Sequence, residues 1–338
     1  LNAQLHYSSG YQTMLNNAGE TKNVGVELTV NTVNFSTKKF SWNTTLTLSH
    51  NKNSVRALTG EAVQLYEAKF GFNQNTHRIA VGEPLGQFYG YITDGLYQVD
   101  DFNYDASTQT YTLKDGVPYH GDKGRIRPGM WKFKNLTGDD DIIDENDKTV
   151  IGNAQPKFYG GLNNSFTYKG FDLSIFLTFS YGNEVLNATK LTTSKIGSQN
   201  YNALDVMNSS NRWMTINSAG QTVTDPAELA ALNAGKTVAA YHDAQQGDNY
   251  IHSWAVEDSS YLKLSNVTLG YTFPKHLIAR VGLKNLRLYA TGNNLLTWTK
   301  YTGFDPEVST MKSGLTPGVD FGAYPLSRSF IFGLNVAF

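Results

Sequence analysis

The sequence predicts an all-β fold: about ten antiparallel strands forming the C-terminal part of a large transmembrane β-barrel, with short periplasmic turns and long extracellular loops. Three observations predict it. Apolar residues alternate with small or polar ones along most of the chain, the period of a strand with two unlike faces. Charged residues are only 17 %, against the ~25 % usual for soluble domains, while 20 Tyr and 18 Phe supply the aromatics that belt a membrane barrel. Short and long connections also follow one another in strict alternation, which puts tight turns at one end and loops at the other.

The clearest strand is the last stretch, 327–338. Arg328, Phe330, Phe332, Leu334, Val336 and Phe338 share one face; Ser327, Ser329, Ile331, Gly333, Asn335 and Ala337 share the other. An apolar side toward lipid and a small or polar side toward the lumen suit a barrel, although a soluble sandwich has strands of the same pattern.

Taken in order, residues 1–7 read as the end of a strand and 8–22 as turn-rich loop. Val24, Val26, Leu28 and Val30 alternate with Gly25, Glu27, Thr29 and Asn31. A tight turn at 36–38 leads to a partner carrying Phe40, Trp42, Leu46 and Leu48. A further hairpin is expected from 77–82, a turn at Glu83-Pro84, and a return over 87–98. Gly82, Gly86 and Gly90 within it mark bends or close backbone approach rather than a helix-packing series, because Pro84, Phe88, Tyr89 and Tyr91 favour strands.

A polar insertion, 99–155, precedes a second tight hairpin. Its arms carry Phe158, Leu162, Phe166 and Tyr168, then Phe171, Leu173, Ile175, Leu177 and Phe179, around Lys169-Gly170. The next insertion, 187–256, holds one short helical stretch at 226–234. Strands with Val267, Leu269 and Tyr271, and with Leu286, Leu288 and Ala290, flank a short link at 274–282. On this layout the turns at 36–38, 83–85, 169–170 and 274–282 are periplasmic, and loops 53–76, 99–155, 187–256 and 301–326 are extracellular.

Composition excludes several functions. The net charge of −1 offers no bulk attraction for nucleic acid. Without Cys there is neither a disulfide framework nor a thiolate site. No apolar run approaches the ~18 residues of a spanning helix. No His-Glu-x-x-His pair and no Gly-x-Ser-x-Gly elbow is present, so nothing points to an enzyme. The opening at Leu1, inside what reads as a strand, is expected to continue an upstream part of a longer protein.

Several stretches then resemble the SusC/RagA-type TonB-dependent transporters of the Bacteroidota outer membrane. They are Asn23-Val24-Gly25-Val26-Glu27-Leu28, Gly82-Glu83-Pro84-Leu85-Gly86-Gln87-Phe88-Tyr89-Gly90-Tyr91 and Asp94-Gly95-Leu96-Tyr97. Further on come Gln155-Pro156-Lys157-Phe158-Tyr159-Gly160-Gly161, Tyr261-Leu262-Lys263-Leu264-Ser265-Asn266-Val267-Thr268-Leu269-Gly270-Tyr271, Ala290-Thr291-Gly292-Asn293-Asn294 and Tyr324-Pro325-Leu326-Ser327-Arg328. They occur in the family's order over nearly the whole chain. The resemblance implies a 22-stranded barrel with an N-terminal plug, import of oligosaccharides or peptides driven through TonB, and a SusD-type surface lipoprotein as lid. A passive porin and a secreted glycan-binding or adhesin protein are the competing readings.

Three candidate sites follow. Asp139, Asp141, Asp144 and Asp147 lie in an acidic run whose spacing approaches a Ca²⁺ loop. Asn135 and Thr137 replace the early ligands and Asp140 the turn glycine, so a solvated acidic loop is the alternative. Trp131, Trp213 and Trp254 lie in the long insertions, where they stack on a substrate or partner, or pack loop on barrel. Phe338, on the lipid face, is the expected signal for the barrel-assembly machinery. No other cofactor is implied.

Overall fold

A computed structural model describes residues 19–58, 75–138, 140–194, 202, 204–240, 250–310 and 314–338, together with the backbone of three short strands at 2–4, 13–15 and 63–67. Seven long strands form one antiparallel sheet: β1 (Gly19–Ser36), β2 (Phe40–Leu58), β3 (Phe158–Tyr168), β4 (Phe171–Tyr181), β5 (Tyr261–Thr272), β6 (Asn285–Thr299) and β7 (Ser329–Ala337). They pair in chain order, each with its sequence neighbour, and β1 and β7 are the two open edges among the described strands.

The register makes the two faces unlike. Paired residues project to the same side, so Val30, Leu46, Leu162, Leu177, Leu264 and Leu296 form one apolar row across six strands. Toward the short turns lies an aromatic row, Phe40, Tyr168, Phe171 and Tyr271, continued by Leu288 and Leu334. Toward the loops stand Trp298, Phe179 and the stacked pair Phe158–Tyr181, with ring centroids 4.8 Å apart. Phe158 and Tyr168 bound β3. Their separation is about 33 Å of strand, which a tilt of about 40° reduces to roughly 25 Å, the height of a lipid-facing band.

The other face is polar. One row runs Asn31, Thr45, Asn163, Phe176, Asn266, Asn293 and Ser329. Its amides bond sideways, Asn266 Nδ2 to Asn293 Oδ1 at 2.7 Å and Asn293 Nδ2 to Ser329 Oγ at 3.0 Å. Ser174, Thr268 and Thr291 line the neighbouring row.

The core lies elsewhere. Apolar side chains on the outer face, such as Leu28, Leu262, Leu288 and Trp298, stay exposed. The buried apolar residues gather in three clusters built from the long connections 59–157, 182–260 and 300–328. Such a distribution fits a sheet whose apolar face meets lipid and whose loops meet water.

Three expected strands lie outside the large sheet. Asn2–Gln4 pairs with Thr13–Leu15. The segment from 77 onward, resolved as Asn75–Ala80, and its return, resolved as Gln87–Gly90, join a small loop sheet with Val63–Glu67 and Thr149–Asn153. Their turn accordingly sits at the loop end rather than with the periplasmic turns. Val55 N–H donates to Glu83 O at 2.9 Å, Gly82 N–H to Val55 O at 2.8 Å, and Leu85 N–H to Asn53 Oδ1 at 2.7 Å, all on the loop end of β2. Gly90 meets the Ile251 carbonyl, 2.8 Å from the carbonyl carbon to any added β-carbon, which is the close approach its sequence implied. The helix expected at 226–234 forms over Pro226–Leu232, capped by the Asp225 carboxylate accepting from Glu228 N–H at 3.0 Å.

Candidate functional site

The inner face and the loops meet at β5. Tyr261 and Lys263 belong to the polar face, and the loop 300–328 folds onto them. Tyr261 Oη donates to Glu307 Oε1 at 2.5 Å, Lys263 Nζ pairs with Glu307, and Asp305 lies 3.9 Å from the same ammonium. Lys263 is buried, so its charge requires these carboxylates. Beside the cluster a cavity of about 530 Å³ is lined by Tyr159, Ser180, Asn183, Glu184, Tyr261 and Glu307, among others. Hydroxyls, an amide and carboxylates around tyrosine rings can hold a hydrogen-bonding solute.

Above it the three long connections interlock. Glu257 accepts from Lys190 Nζ at 3.1 Å, from Asn187 Nδ2 at 3.3 Å and from Thr302 N–H at 2.9 Å. Burial pushes its carboxyl up, but the Thr302 and Lys190 donors outweigh that and hold it below the usual range. Lys190 Nζ also lies 4.1 Å from the Trp254 ring centroid. Trp254 packs at 4.9 Å on Trp131, and His252 lies 5.0 Å from Trp131. Residues 190, 254 and 302 thus tie two connections together, and Trp131 adds the third.

That placement decides the tryptophans' surroundings. Trp131 and Trp213 are core residues of a loop cluster with Tyr91, Leu96 and Phe133, and neither offers a stacking face to solvent. Trp254 is half-buried against the same cluster. They pack loop on loop, a choice the sequence reading did not include.

The acidic run is bound by its own backbone. Asp147 is buried; its Oδ1 accepts from Leu136 N–H at 2.7 Å and Thr137 N–H at 2.9 Å, and its Oδ2 from Asp144 N–H at 2.8 Å. Burial raises this carboxyl, and these donors together bring it below the ordinary range. Asp144 accepts from Asn146 N–H, and Asp141 from Gly116 N–H. Asp139 lies outside the described residues. Among the described residues no three carboxylate or imidazole groups converge as metal ligands do; the described carboxylates Asp141, Asp144 and Asp147 cap turns. Phe338 is 80 % exposed on the side of Phe330, Phe332 and Leu334.

No family model matches the chain. The chain is 34 % identical, over 98 % of its length, to TonB-dependent receptor P3 of Formosa agariphila. The chain belongs to the TonB-dependent receptors. TonB-dependent receptor SusC of Bacteroides thetaiotaomicron matches at 26 % identity over 96 % of this chain. Solved structures of the RagAB peptide transporter and of the RagAB peptide importer in its closed-closed state share the fold of this receptor chain, with TM-scores of 0.67 and 0.68 at 20 % and 19 % identity over 99 % of its length. The chain spans 30 % of the P3 receptor, 27 % of SusC and 31 % of each of these RagAB chains, under a third of each. Its place is the bacterial outer membrane, which is where the aromatic-edged apolar face and the loop-borne core belong.

Proposed function

We propose that this receptor chain is the C-terminal portion of the barrel of an outer-membrane active transporter, energised through TonB, that imports oligosaccharides or peptides. The observation that carries the reading is the division of the sheet: an apolar outer face edged by aromatics, a polar inner face, and loops that fold onto the inner wall at Lys263 and Tyr261. Relatives about three times as long, and open edges at β1 and β7, support a larger barrel completed by strands and a plug outside this chain. Lipid offers no partner for edge N–H and C=O groups. The folded loops, on the extracellular side, suit a SusD-type surface lipoprotein as lid. Phe338, on the lipid face, is the element we assign to recognition by the barrel-assembly machinery. A soluble glycan-binding protein or adhesin would bury the strand faces that here stay exposed.

The test is uptake. Cells carrying the full-length protein are given labelled oligosaccharide and peptide mixtures, with the gene intact or deleted and with TonB active or disrupted. Uptake of one class is expected to fall in both the deletion and the TonB-deficient strain. Uptake that survives loss of TonB would mean a passive porin, and uptake unchanged by deletion would remove the import role.

A further inference from the structure

The three short connections share a charge. They carry Lys38, Lys39, Lys169, Lys275, Arg280 and Lys284, all exposed, and not one of the chain's 29 acidic residues. Among the described side chains the one carboxylate near this end is that of Asp172, and it is paired across the sheet with Arg287 at 2.6 and 3.1 Å. Among the described residues none of the six cations is in an ion pair, whereas the loop cations Lys123, Lys132, Lys148 and Lys190 each have a carboxylate.

The cations are spatially continuous with the aromatic row. The first two turns touch, Lys169 N–H donating to Lys39 O at 3.3 Å, and Lys284 N–H donates to Ala337 O at 2.7 Å on β7. Lys169 Nζ lies 5.2 Å from the Tyr168 ring centroid, and Phe171, Tyr271 and Phe273 follow one another at 4.5 and 5.0 Å. In the third connection the helix Lys275–Ile278 buries Ile278 but leaves Leu277 exposed, as is Val281 one turn on. Apolar side chains at i and i+4 beside Lys275 and Arg280 make an interfacial surface.

The geometry points to this rim as a docking surface for the anionic phospholipid headgroups of the leaflet that surrounds the short turns. A phospholipid supplies both things the rim asks for: phosphate beside the ammonium groups, and acyl chain beside Leu277, Val281 and the rings. A soluble acidic protein or a cell-wall polymer supplies charge alone. The proposal rests on the membrane reading of the sheet and on nothing about substrate or lid.

The experiment places the full-length receptor in vesicles and compares spin-labelled phosphatidylglycerol with spin-labelled phosphatidylcholine in its immobilised lipid shell. The wild type is expected to favour phosphatidylglycerol several-fold at low salt, and less as salt shortens the screening length. K38Q/K39Q/K169Q/K275Q/R280Q/K284Q is expected to bring the ratio close to one, while K114Q/K134Q in the loops leaves it unchanged. The two triple variants, one for the first two turns and one for the third, are each expected to lose part of the preference, which keeps the test open if the sixfold variant does not insert. Equal selectivity in the wild type and in the folded variants would overturn the proposal. So would unchanged lipid selectivity accompanied by loss of binding to peptidoglycan. A wild-type protein that inserts into no bilayer would instead overturn the membrane reading itself.

Discussion

Gly129 lies flat against the indole of Trp213. A β-carbon at Gly129 would stand 2.7 Å from Trp213 Cδ2 and nearer still to Cγ and Cδ1. Its φ of +86° is also one that residues with side chains avoid. Its N–H donates to Tyr97 O at 2.8 Å and its carbonyl accepts from Ala240 N–H at 2.9 Å, so the backbone has no freedom to retreat.

Gly129→Ala is therefore expected to destabilise the loop assembly by about 3 kcal/mol, combining backbone strain with overpacking. The sheet should be untouched. Limited proteolysis of the membrane-embedded protein should cut the loops faster while the barrel fragment stays intact. Unchanged loop cleavage would show that the contact relaxes without cost.

His77 gives the loops a pH dependence. It is buried, with Nε2 at 2.9 Å from Pro317 O and Nδ1 at 2.8 Å from Thr76 Oγ1. Burial lowers its pKa to about 4, against a smaller opposing pull from the Pro317 carbonyl. The unfolded loop binds the proton near pH 6.5 and the folded loop only near 4, so stability is full above 6.5 and falls as pH drops through that window. The loss is on the order of 3 kcal/mol. A loop melting temperature measured from pH 7 to pH 4 should decline, and His77→Gln should flatten that decline.

How far these features were legible depends on the range over which their cause acts. Leu46 and Leu162 alternate with small or polar neighbours, so their strands were plain from period alone. Asp225-Pro226 announced its helix by local capping chemistry. Gln87–Gly90 was readable as a strand from its aromatics, yet its buried Phe88 faces loop residues, because a strand signal cannot say whether lipid or protein covers the apolar side. Trp213 and Gly129 are far apart in sequence, and no local signal joins them. The acidic run was readable as charge, but the N–H groups of Leu136 and Thr137 that converge on Asp147 were not.

One polar group on the apolar face is held by a network. Asn164 Oδ1 accepts from Trp42 Nε1 at 3.0 Å and from Thr44 Oγ1 at 2.7 Å, in the row between the leucines and the aromatics. In lipid these donors have no water to turn to. Asn164→Ala is expected to cost about 1–2 kcal/mol through the two orphaned donors, and Asn164→Ala combined with Trp42→Phe to recover part of it, while Thr44 stays in place to accept from Asn34 Nδ2 at 2.7 Å. Equilibrium unfolding in denaturant from vesicles reads the difference; equal stability of the wild type and both variants would mean the network contributes nothing.

The two faces of β4 can be set against each other with one charge. Leu177 lies in the central apolar row and Thr178, the next residue, in the polar one, where its Oγ1 lies 2.7 Å from Ser265 Oγ. Leu177→Arg places a guanidinium near the middle of the apolar band, expected to cost roughly 2–4 kcal/mol of membrane stability. Thr178→Arg places the same group toward the lumen, where water can solvate it, so the loss should be limited to that hydroxyl contact and local crowding. The side chain introduced is the same in both, which leaves the environment as the main variable. The measurement is the fraction of each full-length variant recovered folded in vesicles across a denaturant series. Similar losses for the two would mean that β4 does not separate lipid from lumen, and a larger loss for Thr178→Arg would turn the sheet inside out.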